Sequence, residues 1–236
     1  MNYERFLFPL FFLAIIISLY SEIKVTSTFK KYSKVRTRSG MNAAEFARFM
    51  LDGNGLSYVR IERVRGSLTD HYDPKSETLR LSDPVYASES AAAIGVAAHE
   101  AGHAIQHSVG YLPIKIRSML VPITSFASRV SWILIMLGVI IGFFGELFDF
   151  GYMITMSGIA LFSLTALFQL VTLPCEFNAS RRAMNAIRAC GRYSDEELSA
   201  SKKVLGAAAL TYVAALFVSV IQILRLLLIF GRGRRR

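Results

Sequence analysis

Cysteine is scarce: Cys175 and Cys190 are the only two in 236 residues. That is too few to staple a chain of this size, so a disulfide scaffold is excluded and nothing points to an oxidising compartment. The two read as small apolar side chains. Acidic residues are also short, with 17 Asp and Glu against 27 Lys and Arg. The resulting net charge of +10 invites a nucleic-acid reading. No nucleic-acid module is present, however, and the basic residues lie mainly beside apolar runs, where anionic lipid headgroups are the fitting partner. The chain also lacks internal repeats and low-complexity tracts. Its first apolar run has only a weak leader, Met-Asn-Tyr-Glu-Arg, and no Ala-x-Ala cleavage site, so it reads as a retained anchor rather than a removed signal.

What the chain has in quantity is apolar side chains, 53% of the total. They gather in four runs, residues 6–20, 130–144, 152–173 and 204–230, the last interrupted by Arg225. Only the third and fourth reach the roughly 20 residues that cross a bilayer untilted. The second gains length from Met119 onward, but Arg129 must then snorkel or pair. The expected fold is therefore mainly α, a multi-pass membrane helical bundle, with one small α+β unit in the polar stretch after the first run. Within that stretch "NAAEFARFMLDGNG" has helical spacing of Ala43, Phe46, Phe49 and Met50, with Gly53 or Gly55 as a stop. "LSYVRIERV" and "ETLRLS" alternate like half-buried strands. A longer helix is predicted from near Ser88, capped by its hydroxyl, to about His107, with Gly110 and Pro113 ending it.

That helix carries "AAHEAGHAIQH". His99 and His103 stand one turn apart on one face, so two imidazoles can grip one ion while Glu100 reaches an activated water. Alanine and glycine at residues 91–93, 95, 97, 98, 101, 102 and 104 strip the helix of bulk and let other elements pack close. A packing helix with satisfied histidines is the bland alternative. Burying two histidines and a glutamate without a task is costly, which argues against it. A catalytic zinc needs a third protein ligand and one open position. His107 lies about 12 Å along the helix axis from His99, too far to share an ion. The metzincin pattern asks for Gly and His where this chain has Gln106 and Val109, which excludes that class. "LPCEFNASRRAMNAIRACG" offers Glu176, with Pro174 suited to the first turn of a fresh helix, Gly191 to its end, and Ser180 on the same face as Glu176. A competing reading makes Glu176 an interfacial glutamate paired with Arg181 or Arg182.

"AAHEAGHAIQH" followed far downstream by "LPCEFNASRRA", together with "HYDP", "LRLS" and a basic C-terminus, resembles the YugP-like membrane zinc metallopeptidases, also called neutral zinc metallopeptidases. The resemblance covers nearly the whole chain. More distantly the chain is similar to HtpX-type and CAAX-prenyl-protease gluzincins, in which the motif is completed by Glu in an E-x-x-x-D pattern. The resemblance implies a gluzincin-like (zincin) catalytic unit, one Zn2+ per chain on His99, His103 and Glu176, and Glu100 as general base. Ser180 stands where the distant families have aspartate, and a hydroxyl orients a ligand histidine less strongly than a carboxylate. Arg181, Arg182, Tyr86 and His71 are candidates for stabilising an oxyanion. The chain then divides into an anchor (1–21), an α+β catalytic unit (22–117), a transmembrane hairpin (118–173), a third-ligand helix region (174–203), and a final membrane helix with a basic tail (204–236).

The expected activity is a membrane zinc metalloendopeptidase acting on peptides or membrane proteins. A catalytically inactive zinc-binding membrane scaffold is the alternative, against which Glu100 argues. A channel or transporter would need more polar residues inside the apolar runs. "ETLRLS", just ahead of the motif, reads either as a strand that could accept an extended substrate by strand addition or as an ordinary internal strand. The connection "GELFDFG" has Glu146 and Asp149 but no basic residue, whereas Lys24, Lys30, Lys31, Lys34, Lys115 and Arg117 flank the other side. This bias places the site in the cytoplasm. The terminal Arg232, Arg234, Arg235 and Arg236 run against it if the last segment crosses once. "SDEELSASKK" offers Ser194 and Glu197 as a capping box.

Overall fold

The computed structural model describes residues 4–231, so Arg232, Arg234, Arg235 and Arg236 lie outside the described residues. Among these residues the elements run α1 (Glu4–Tyr32), α2 (Ala43–Asp52), β1 (Arg60–Val64), β2 (His71–Asp73), β3 (Thr78–Ser82), α3 (Asp83–Tyr86), α4 (Ala91–Ser108), α5 (Leu112–Phe143), α6 (Phe148–Ala189) and α7 (Asp195–Phe230). A 3-10 turn at Gly145–Leu147 joins α5 to α6. The protein is thus mainly α, with one three-stranded sheet. Four of its helical stretches, Phe8–Tyr32, Leu112–Phe143, Gly145–Ala189 and Asp195–Phe230, are long and apolar enough to cross a membrane. The first two runs, short of a crossing on their apolar residues alone, gain the needed length as helical hydrogen bonding continues through their polar flanks, for the second as expected from Met119 onward.

Contacts divide the chain into two compact units. One comprises Met1–Ser21, Ile116–Thr172 and Tyr212–Arg236. Its helices turn large apolar side chains outward, Phe126, Ile133, Met136 and Phe143 among them, a surface suited to lipid and not to water. Inside it α5 and the first part of α6 touch backbone to backbone. A Cβ on Gly151 would collide with the backbone of Gly142 and Gly138, so glycine is required there. Arg225, the interruption in the last apolar run, sets its guanidinium 4.5 Å from the ring centroid of Phe11, an attraction that strengthens away from water. Arg129 faces outward on α5.

The other unit comprises Glu22–Lys115 and Leu173–Thr211. In α2 the Asn42 side chain accepts from Glu45 N and the Glu45 side chain accepts from Asn42 N, a reciprocal capping box. The buried stripe of α2 is Ala43, Phe46, Ala47, Met50 and Leu51. Phe49, grouped with that stripe by the sequence, stays half exposed because it falls off the i, i+3, i+4 rows. The sheet order is β1-β3-β2, with β1 parallel and β2 antiparallel to β3. β3 is therefore central, and it is also buried on both faces, with Thr78, Leu79, Leu81 and Ser82 all enclosed. The half-buried reading of "ETLRLS" is overturned, and so is its use for strand addition, since both of its hydrogen-bonding edges are already taken. The short strand β2 has too few residues to show a period and was not legible in advance.

α4 begins at Ala91 and not near Ser88. Ser90 is the cap, its side chain accepting from Ala93 N. Ser88 instead closes the preceding turn through its N–H to Val85 O and donates its hydroxyl to Ser90 Oγ. α7 starts on the anticipated capping box, Ser194 N donating to Glu197 Oε2 at 2.8 Å and Glu197 N to Ser194 Oγ at 3.3 Å. Ser201, one turn further, donates to Ala91 O at 2.8 Å and ties α7 to the start of α4. The predicted break at Pro174 is absent, because α6 runs unbroken through it. The proline removes one N–H, a loss a long packed helix absorbs.

Candidate metal centre

α4 is buried along most of its length because its small residues leave room on several sides at once. At Gly102 a Cβ would come within 2.9 Å of Ala179 O on α6. That close approach brings the residues one turn either side of Gly102 and Ala179 face to face. His99 Nε2 lies 3.1 Å from Glu176 Oε2, and His103 Nε2 lies 3.6 Å from the same oxygen. The three candidate donor atoms all lie within 4.8 Å of one another. A tetrahedral zinc with bonds of about 2.1 Å places neighbouring ligands about 3.4 Å apart, and the two His–Glu separations straddle that value. The imidazole rings of His99 and His103 stand 4.7 Å apart at 87°, edge to face, so their nitrogens converge without stacking. Two neutral imidazoles and one carboxylate form a donor set that zinc favours.

The far nitrogen of each ring is also held. His99 Nδ1 lies 3.1 Å from Ser180 Oγ, and His103 Nδ1 lies 3.0 Å from Gln106 Oε1. An Nδ1–H donated to each oxygen leaves Nε2 with its lone pair toward the shared point. Glu100, next to His99, is partly buried. Burial pushes its carboxyl above the ordinary glutamate range, and positive charge on His103 or His99 would draw it back.

The structure brings together His99, His103, Glu176 and Ser180. The pairing of Glu176 with Arg181 or Arg182 is not what it shows: the Glu176 carboxylate faces the imidazoles, Arg182 Nε donates to Asn178 Oδ1 at 2.9 Å, and Arg181 is exposed. His71 projects from β2 with Nδ1 2.8 Å from Thr69 O. Tyr86 packs against the core at the end of α3. His107 lies off the donor group, with its ring 5.7 Å from that of Tyr72.

Sequence reasoning missed two residues beside this group. Gln106, fully buried, bonds His103 as above and donates its amide to Cys175 O at 2.8 Å and Asn178 Oδ1 at 3.0 Å. Its signal was a lone amide in a run of alanines three places after His103. Asp70 accepts from Ser82 N at 2.7 Å and Ser82 Oγ at 2.8 Å, fastening the start of β2 to the end of β3. Burial raises the Asp70 carboxyl, and the two Ser82 bonds oppose that rise.

Two histidines and a glutamate from separate helices, with a second glutamate next to the first histidine, form a group that could hold a metal ion. The family described as "Putative neutral zinc metallopeptidase" matches residues 7–231, and the chain belongs to that family. It is 48% identical over 218 residues to the "Putative membrane protease YugP" of Bacillus subtilis (strain 168), an alignment covering 92% of this chain and 93% of that protein. No solved structure matches it.

Proposed function

We propose that the protein is a membrane zinc endopeptidase holding one Zn2+ on His99, His103 and Glu176. The observation that carries this reading is the convergence of those donors, with both His–Glu separations near tetrahedral spacing, all three within 4.8 Å of one another, and Glu100 beside them. When bound, zinc supplies Lewis acidity, acidifying water and polarising a carbonyl. The chain's own part begins with His99 and His103, whose Nδ1 contacts to Ser180 and Gln106 keep Nε2 directed inward. Glu100 takes a proton from the attacking water on its carboxylate and delivers it to the departing amine, so one side chain serves as base and then as acid. Its burial supports this, because burial raises the carboxyl above the ordinary glutamate range and so makes its carboxylate a stronger base. Family membership supports the same chemistry.

The substrate we assign is a peptide or membrane protein in extended form. With β3 enclosed, the sheet edges that pair with no other strand among the described residues are those of β1 and β2, and strand addition would use one of these. From the charge bias of the loops we place the site on the cytoplasmic face; a reporter at Gly145 on the outer face would support that orientation, and one on the inner face would reverse it. A second reporter after Arg236, on the same side as Gly145, would indicate a single final crossing.

The decisive experiment is zinc analysis and peptide cleavage by detergent-purified protein. Glu176→Ala is expected to lose zinc, and Glu100→Gln to keep it while losing turnover. The alternative, a zinc-binding scaffold without turnover, would show itself if wild type binds zinc and cleaves nothing that Glu100→Gln leaves intact.

A further inference from the structure

The most constrained polar side chain near the centre is one that supplies no donor atom to it. Gln106 lies on α4 with no solvent exposure. Its amide nitrogen has two neighbours, Cys175 O at 2.8 Å and Asn178 Oδ1 at 3.0 Å, both from α6. The Cys175 carbonyl can only accept. Asn178 Oδ1 is itself fixed as an acceptor, because Arg182 Nε, which can only donate, lies 2.9 Å from it. Turning the Gln106 amide over would set its oxygen against two acceptors. Turning Asn178 over as well would set an NH2 against the Arg182 N–H. A single arrangement satisfies all four groups, and it leaves Gln106 Oε1 facing His103 Nδ1 at 3.0 Å. Oε1 can only accept, so His103 must carry its proton on Nδ1.

We infer that Gln106 is a positioning residue: with Asn178 and Arg182 it locks His103 in the Nδ1–H tautomer, aims Nε2 at the donor group, and clamps α4 to the α6 turn that carries Glu176. This rests on the reading of His103 and Glu176 as metal ligands. The two ligand histidines are then held unequally. Ser180 Oγ, facing His99 Nδ1, can donate or accept and imposes no tautomer, whereas the chain from Arg182 through Asn178 and Gln106 has one direction only.

The test uses the full-length protein in detergent. Zinc affinity is read by competition with a chromophoric chelator, and the His103 tautomer from the 15N shifts of the metal-free protein. Gln106→Met, of similar volume and with neither donor nor acceptor of comparable strength, is expected to weaken zinc binding about 10- to 100-fold, as loss of an outer partner of a ligand histidine does. Gln106→Glu keeps the acceptor for His103 but sets its second oxygen against Cys175 O and Asn178 Oδ1, and is expected to recover only part of that loss. Asn178→Ala, which frees the amide to turn, should fall between Gln106→Met and wild type. In wild type, neutral His103 should show a protonated Nδ1 and an unprotonated Nε2, and Gln106→Met a mixture of both tautomers. Should Gln106→Met not fold, the order wild type, Gln106→Glu, Asn178→Ala and the wild-type tautomer still decide the matter. A wild-type His103 protonated on Nε2, or zinc affinities equal across the variants, would overturn the inference. Wild type that binds no zinc, or His103→Ala that binds it as tightly as wild type, would instead sink the metal-site reading beneath it.

Discussion

Gly102 and Gly151 do the same steric job in different units. Each lets one helix lie against another so closely that a methyl group would strike backbone, Ala179 O in the first case and Gly142 and Gly138 in the second. The surroundings differ. Around Gly151 the neighbours are apolar or weakly polar and the outer faces are bare Phe, Ile and Met, so close approach yields packing suited to lipid. Around Gly102 the same closeness brings His99, His103, Glu176, Ser180 and Gln106 within bonding range. Small residues set the distance between helices, and what sits one turn away decides whether that distance becomes a packing seam or a chemical site.

The largest effect is expected for Glu176→Ala, which removes a donor supplied by the second helix; zinc affinity should fall by more than the ~100-fold typical of losing an outer partner, measured by chelator competition. Gly102→Val comes next, because the added bulk meets the Ala179 backbone and must separate the two helices. Overpacking of this kind costs about 1–3 kcal/mol and should be accompanied by loss of zinc. Gly151→Val is the matched control, with a similar loss of thermal stability and zinc affinity unchanged. Equal zinc affinity in the two glycine variants would show that the approach at Gly102 does not build the site. Ser180→Ala should weaken zinc binding about tenfold and Ser180→Asp should match or exceed wild type, since a carboxylate holds Nδ1–H of His99 more firmly than a hydroxyl. The smallest effect is expected for Ser201→Ala, which deletes the bond to Ala91 O and should cost about 1 kcal/mol of stability in a denaturation curve, leaving the metal untouched.

The same contrast explains what could be read in advance. The His99–Glu100–His103 spacing, the apolar runs and the Ser194–Glu197 box are local patterns, and local geometry alone determines what they do. Glu176 could be nominated but not separated from a glutamate paired with Arg181 or Arg182, because its partners are 73 or more positions away and only tertiary packing chooses among them. Ser88 lost the cap of α4 to Ser90 through competition between hydroxyls two residues apart, which sequence rules rank equally. The break expected at Pro174 failed because tertiary packing overrode a local preference. The half-buried reading of β3 fails because a pattern of five residues does not reveal that both of its faces are covered. Gln106 was visible only as the residue that disqualified another class; its meaning depends on Cys175 and Asn178, which no spacing rule connects to it.

The most direct measurement of the central claim is zinc X-ray absorption on the purified wild-type protein. The expected result is a shell of nitrogen and oxygen at about 2.0–2.2 Å with two imidazoles and no sulfur. Cys175 is buried immediately beside Glu176, so the alternative is well defined: a sulfur scatterer at about 2.3 Å, or a shell with fewer than two imidazoles, would contradict it.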